Sequence, residues 1–263
     1  MTTQQQAQHW LATQQPTILI EVVETKGSTP REPGTRMLIS PDSTTGTIGG
    51  GHLEWQAIRT AREALRTGNI PPDQRIALGP TLGQCCGGSL TLRYAPLTPE
   101  ALATWPTEKH LFHLQLHGAG HVGRAIVRLL HDLPCRVTWI DEREDEFPPE
   151  PSPPHIERVC SDGAEAEVAQ APPGSHFLVL THQHDLDLRI VQAVLQRNDF
   201  RFLGLIGSAT KKARFEHRLR ERGIPEQTLT RMTCPIGVPG VKGKAPAVVA
   251  IAVVAQLLQQ STD

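Results

Sequence analysis

Short apolar runs and helix-spaced apolar stripes recur along this chain in two separate groups. In the first group, strands are predicted at 17–25 (TILIEVVET), 35–39, 74–78 and 89–94, with helices at 4–14 and from the glycines at 49–51 to about residue 67. In the second group, Leu111, Leu114 and Leu116 mark a strand over 111–117. Val122, Ile126, Leu129 and Leu130 then recur at helical spacing, and a further strand over 135–140 ends on Asp141. Strands are also predicted at 156–160, 175–180 and 202–206, with a brief helix at 165–170 and a helix reading LRIVQAVLQ after Asp185. The run at 175–180 is apolar through its second half, as buried parallel strands are. The pattern therefore predicts an α/β chain, with a smaller α+β domain over 1–100 and a Rossmann-type parallel sheet over 108–263. The last helix is a candidate to pack back on the first domain. The proline-rich stretch 95–109 shows no core pattern and reads as the boundary, and 147–154 (FPPEPSPP) reads as an exposed loop.

Composition narrows the class. Of 263 residues, 38% are apolar but only 4% aromatic, so aliphatic side chains must fill the cores. The net charge of −1 draws the chain neither to nucleic acid nor to an acidic membrane. The longest apolar run, 245–258, falls short of the ~20 residues of a membrane span and reads as a buried helix. The start, MTTQQQAQHW, has no basic region followed by an apolar core, so no signal peptide is expected. Cys85, Cys86, Cys135, Cys160 and Cys234 are odd in number and scattered, which points to a reduced, cytoplasmic protein rather than a disulfide framework.

The candidate chemistry sits on loops. Gly118, Gly120 and Gly123 have G-x-G-x-x-G spacing between a predicted strand and helix. Gly118 would permit the tight turn, Gly120 the approach of a pyrophosphate, and Gly123 close helix packing. The first-turn amides, including those of His121 and Val122, would face the anion, and Asp141 stands where a carboxylate takes a ribose hydroxyl. Gly49, Gly50 and Gly51 open another helix and suit either an anion, a flat ring or a plain tight connection.

Other loops add polar groups. Arg31 lies on a stiff loop between two prolines. Gln84, Cys85 and Cys86 lie between glycines; adjacent cysteines lack the spacing of a zinc site, but their sulfur would be accessible. His182 and His184 follow a parallel strand, where open α/β sheets bind ligands, and Asp185 is placed to cap the next helix. Metal binding, a ligand-facing polar loop and simple capping all remain open there. Ser208, with Lys211, Lys212 and Arg214 beyond it, could hold a phosphate or form a solvated basic face. Lys244 ends a third glycine-proline loop before the last helix. The expectation is that Arg31, 49–51, 84–86, His182, Ser208 and Lys244 converge on one crevice.

Seven segments taken in order resemble the XdhC/CoxF family of xanthine dehydrogenase accessory proteins. They are GSTPREPG (27–34), GTIGGGHLE (46–54), LGQCCGG (82–88), GAGHVGRA (118–125), THQHDLD (181–187), GLIGSATKKARF (204–215) and the CPIG…GK stretch (234–244). The resemblance implies an N-terminal XdhC/CoxI-type domain and a C-terminal Rossmann domain. It implies a cytoplasmic chaperone, not an enzyme, that binds molybdenum cofactor (molybdopterin). Such a protein holds the cofactor while its sulfur is installed and delivers it to a xanthine dehydrogenase-type molybdoenzyme. A cysteine desulfurase would be a second partner, and a homodimer is implied.

The cofactor's phosphate, or a nucleotide form, would suit the amides at 118–123 or 49–51. Its pterin edge would suit Gln84, and a thiolate of Cys85 or Cys86 the metal or its sulfur. Two departures stand out: Ala245 and Ala247 occur where family members often carry an acid, and Asp141-Glu142-Arg143 replaces an Asp-Asp-Arg pattern. The rival reading is an NAD(P)-dependent oxidoreductase using Gly118, Gly120, Gly123 and Asp141, with His182 or His184 as proton donor.

Overall fold

The computed structural model describes residues 3–78, 87–105 and 110–261. Two compact units divide the chain, Met1–Thr107 and Glu108–Asp263.

The first unit is a five-stranded antiparallel sheet with helices on both faces. Its strands are β1 (Ile18–Lys26), β2 (Arg36–Ile39), β3 (Thr44–Gly46), β4 (Gln74–Ala77) and β5 (Ser89–Pro96), in the order β3-β2-β1-β5-β4. Alternation sets the faces. Ile18, Ile20 and Val22 of β1 pack with Leu53, Ala57, Ala61 and Ala64 of α2 (Gly51–Thr67). Three alanines on that stripe let the helix lie close to the sheet. Gly68 ends the helix in a left-handed turn, φ 74°, which a Cβ would disfavour. On the opposite face Leu19 and Leu38 meet Ala7 and Trp10 of α1 (Thr3–Ala12).

The stretch after residue 95 is not structureless. Thr98 accepts a hydrogen bond from the Ala101 amide and Pro99 takes the first helical position, so α3 (Pro99–Ala103) forms. Leu97, Ala101, Leu102 and Trp105 join the α1 cluster. Five residues are too few for helical periodicity to show. The cap and proline are the readable signal.

The second unit is a six-stranded, all-parallel sheet. Its strands are β6 (His113–His117), β7 (Arg136–Asp141), β8 (Ile156–Cys160), β9 (His176–Val179), β10 (Phe202–Leu205) and β11 (Met232–Thr233), in the order β11-β10-β9-β6-β7-β8. Counted within the unit this is the 3-2-1-4-5-6 order of the Rossmann fold, with its switch point between β6 and β9. The alternating side chains divide two cores. Leu114, Leu116, Val137 and Trp139 pack with α4 (His121–Leu130) and α9 (Pro246–Ser261). Phe177, Val179, Leu203 and Leu205 pack with α5 (Ala164–Glu167), α6 (His184–Arg197) and α7 (Ala209–Glu221). The last helix thus builds the core of this unit, with Ala250, Val253 and Leu257 facing the α4 side. A short α8 (Glu226–Leu229) and the two-residue β11 follow α7, both too brief to leave a pattern in the sequence.

The proline-rich loop is held rather than free. Arg158 of β8 donates to the carbonyls of Pro148 and Glu150 and to the Ser152 hydroxyl, and Phe147 packs edge-on against Trp139, 5.0 Å between centroids. Among the described residues no helix is long and apolar enough to cross a membrane.

Candidate functional site

The turn after β6 is built from contacts that exclude side chains. Gly118 has φ +126° and a Cβ there would lie 2.3 Å from the Leu180 carbonyl oxygen. Its N–H donates to Ile140 O at 2.8 Å, and its own carbonyl accepts from Trp139 Nε1 at 3.0 Å. A Cβ on Gly123 would lie 2.1 Å from the Gly118 oxygen. Gly120 is different: its φ is −67° and a Cβ there would meet nothing within 4 Å. Among the described residues no side chain caps the start of α4. An open approach therefore leads to the uncapped amides of a ten-residue helix at the switch point, a geometry suited to an anion.

Asp141 ends β7 as the spacing predicts, but its carboxylate is already engaged. It is 5% exposed. Its Oδ2 accepts from the Ala119 amide at 2.6 Å, and both oxygens accept from Arg143, at 3.0 and 3.1 Å. The Arg143 amide adds another bond at 3.0 Å. Burial works to raise its pKa, but the guanidinium and the two amides outweigh it and hold the carboxyl below its ordinary value. The spacing of Asp141 from the glycines was legible in the sequence; the closure by Arg143, two residues on, was not.

At the same edge of the sheet, His182 Nε2 lies 3.2 Å from Glu142 Oε1, and the Gln183 amide reaches the same oxygen at 3.4 Å. Asp185 does not cap α6. It lies in the first turn and pairs with Arg218 at 3.0 Å. The residue that reaches back is Asp187, fully buried, which accepts from the amide and hydroxyl of Thr181 at 3.0 and 2.7 Å. Asp187 also receives Lys211 Nζ at 2.6 Å, and Lys211 donates to Ile206 O at 2.9 Å. The segments 181–187 and 204–215 are therefore one buried network. Asp187 and Lys211 are 24 positions apart, so no local pattern couples them. Ser208 caps α7 by accepting from the Lys211 amide at 3.2 Å. Cys234, buried, lies 3.8 Å from the Ser208 carbonyl, and burial raises its thiol pKa. Lys244 is exposed ahead of α9.

In the first unit, three of the singled-out segments meet. A Cβ on Gly49 would lie 2.5 Å from Pro30 Cγ, and one on Gly88 would lie 2.4 Å from Ser28 O. The loop bearing Arg31, itself exposed, thus touches both the triple-glycine turn and the end of the 82–88 segment. The turn is not a set of bare amides. Glu54 folds back to accept the Ile48 and Gly50 amides at 3.1 Å each, and Gly49 donates to Thr47 Oγ1 at 3.2 Å. The carboxylate that fills this turn comes from the chain, and Glu54, three residues into α2, was its signal in the sequence. Gln84, Cys85 and Cys86 lie outside the described residues. Among the described residues no three His, Cys, Asp or Glu side chains group as a metal site.

Comparison with known proteins matches these halves one by one. The XdhC Rossmann domain family matches residues 114–257, and the XdhC and CoxI family matches residues 10–70. The uncharacterized protein YqeB of Escherichia coli (strain K12) is 29% identical over 254 residues, which is 93% of this chain but 43% of that protein. The chain thus spans less than half the length of that relative. A crystal structure described as a xanthine dehydrogenase from Bacillus halodurans shares the fold with a TM-score of 0.78, at 18% identity, covering 99% of this chain and 96% of that one. With more than half its length matched, and the matched Rossmann half carrying the glycine turn, the Asp141 closure and the Asp187–Lys211 network, the chain belongs to the XdhC family.

Proposed function

We propose that this chain is a cytoplasmic accessory protein for a xanthine dehydrogenase-type molybdoenzyme. It binds molybdenum cofactor, keeps it while a cysteine desulfurase supplies sulfur, and delivers it; it acts as a homodimer and turns over no substrate itself. Family membership supports the accessory role. The observation that carries the cofactor reading is the uncapped start of α4 beside a carboxylate that Arg143 already occupies. That combination favours a phosphate with no ribose to anchor, as on a pterin phosphate, over a dinucleotide.

The residues fit the group. Gly120, His121 and Val122 would hold the phosphate, since a Cβ on Gly120 would meet nothing within 4 Å among the described residues. In the first unit, taken by itself, Gly49–51 would offer shape and Arg31 charge, because Glu54 and Thr47 take the amides of Ile48, Gly49 and Gly50. Gln84, Cys85 and Cys86 are assigned to the pterin edge and the metal end. When bound, the cofactor supplies redox chemistry for the client enzyme; this chain binds and orients it.

The test is purification from molybdate-replete cells, followed by acid release and oxidation of pterin to its fluorescent derivative. Near-stoichiometric pterin, lost on replacing Cys85 and Cys86 together with alanine, is expected. Pterin-free protein from such cells would end the reading.

A further inference from the structure

The second unit contains a basic cavity apart from the α4 turn at which the cofactor's phosphate is proposed to sit. It has a volume of about 350 Å³ and runs along the first three turns of α7, from Ser208 to Arg218, with His184 at the start of α6 beside it. His184, Ser208, Thr210, Lys211, Arg214 and Arg218 line it, and no acidic side chain does. Two of the three permanent cations are already matched: Lys211 by Asp187 at 2.6 Å and Arg218 by Asp185 at 3.0 Å. The side chains of Arg214 and His184 form no ion pair or hydrogen bond among the described residues. The cavity therefore carries one uncompensated guanidinium. Beside it stand two hydroxyls, and Ser208 Oγ accepts the Lys211 amide while its own proton stays free to donate. The positive ends of two helices, 14 and 13 residues long, add to the field at the Ser208 end of the cavity.

We infer that this cavity is a binding site for a phosphate monoester with a compact organic body. A guanidinium fork and two hydroxyls offer donors to the three terminal oxygens of such a group. The volume is at the small end of ligand sites, roughly 300–1,000 Å³, which leaves room for more than a bare ion. The site is one strand removed from the α4 turn, between the ends of β9 and β10. It stands independently of the molybdenum cofactor reading.

The test is calorimetric titration of the full chain with glycerol 3-phosphate, inorganic phosphate and molybdate, at low and at physiological salt. Saturable binding in the order glycerol 3-phosphate above phosphate above molybdate is expected. Arg214→Ala should weaken it about tenfold, with part of the loss recovered in Arg214→Lys. Arg62→Ala, which removes a charge exposed on α2, should leave it unchanged. Three results would overturn the site: no saturable binding, equal weakening by Arg62→Ala, or Arg214→Ala binding as the native chain does. Molybdate binding most tightly would overturn the ester in favour of a free metal oxyanion. Arg214 is exposed, so its variants should keep the native thermal melt, which checks that any loss is not unfolding.

Discussion

Asp187 and Lys211 form a buried ion pair at 2.6 Å, with side-chain exposures of 0% and 12%. The pair joins the first turn of α6 to the first turn of α7, and the amide and hydroxyl of Thr181, in the loop after β9, complete the carboxylate's shell. Removing the ammonium alone leaves a charge with no water to solvate it. Lys211→Met should therefore cost about 3–5 kcal/mol in urea unfolding. The double variant Asp187→Leu/Lys211→Met should recover a large part of that loss. Equal destabilisation in single and double variants would show that the pair's value lies in packing instead.

The three glycines of the β6–α4 turn should separate stability from binding. Gly123→Ala forces a Cβ to within 2.1 Å of a backbone oxygen, and should cost about 2–3 kcal/mol. Gly120→Ala meets open space at φ −67°, a backbone any residue adopts, and should change stability by no more than about 0.5 kcal/mol. If the cofactor's phosphate seats on α4, Gly120→Ala should nonetheless copurify with much less pterin. A stable Gly120→Ala protein with undiminished pterin would remove that phosphate from the α4 turn.

How much of this could be read beforehand follows the range of the interactions. Periodicity depends on neighbours one to four residues apart, so it revealed β6, α4 and β7 and the glycine spacing between them. It could not reveal Arg143 turning back onto Asp141, because a side chain's direction leaves no period. The triple-glycine turn at 49–51 reads equally as an anion seat, a seat for a flat ring or a tight connection, because no local pattern says that Glu54 folds back onto it. The sequence places Asp185 to cap α6 and gives Asp187 no role of its own. Only the fold decides that the first meets Arg218 at the surface and the second Lys211 in the interior. The junction of Pro30, Gly49, Ser28 and Gly88 is likewise a product of β-strand pairing across long separations.

Asp141 offers a direct test of the oxidoreductase alternative. With Arg143 and the Ala119 amide on its oxygens, it has little left for a ribose. Titration with NADH and NADPH, followed by nicotinamide fluorescence, should show no saturable binding below roughly 1 mM. Micromolar binding with reductase activity would restore the alternative. Asp141→Asn should destabilise the fold by about 2 kcal/mol at neutral pH, discounted because Arg143 is about a third exposed. The folded pKa is depressed, so this stability is complete above the unfolded value of about 4 and disappears as pH falls through the lower folded value. The variant and native chains should therefore converge in stability only in strong acid.

His117 and His176 give the fold its response to mild acid. His117 is fully buried before the glycine turn, with Nε2 3.2 Å from Gln115 Oε1 and no partner at Nδ1 among the described residues, and burial pushes its pKa down to about 3. His176 lies 5.3 Å from the Phe112 ring and 6.2 Å from Phe202; burial, helped by the charge of Arg201, pushes it down to about 4. Both are neutral when folded, whereas unfolded histidine takes a proton near pH 6.5. The stability they hold is thus complete above about pH 6.5 and is lost as pH falls toward those folded values. Between pH 7.5 and 5 each should account for about 2 kcal/mol of the native chain's loss. His117→Gln, which cannot titrate there, should show a shallower decline in urea unfolding free energy by that amount. The His117→Gln/His176→Gln pair should be shallower by about twice as much. Parallel declines in native chain and variants would mean that these rings gain protons without the fold giving way.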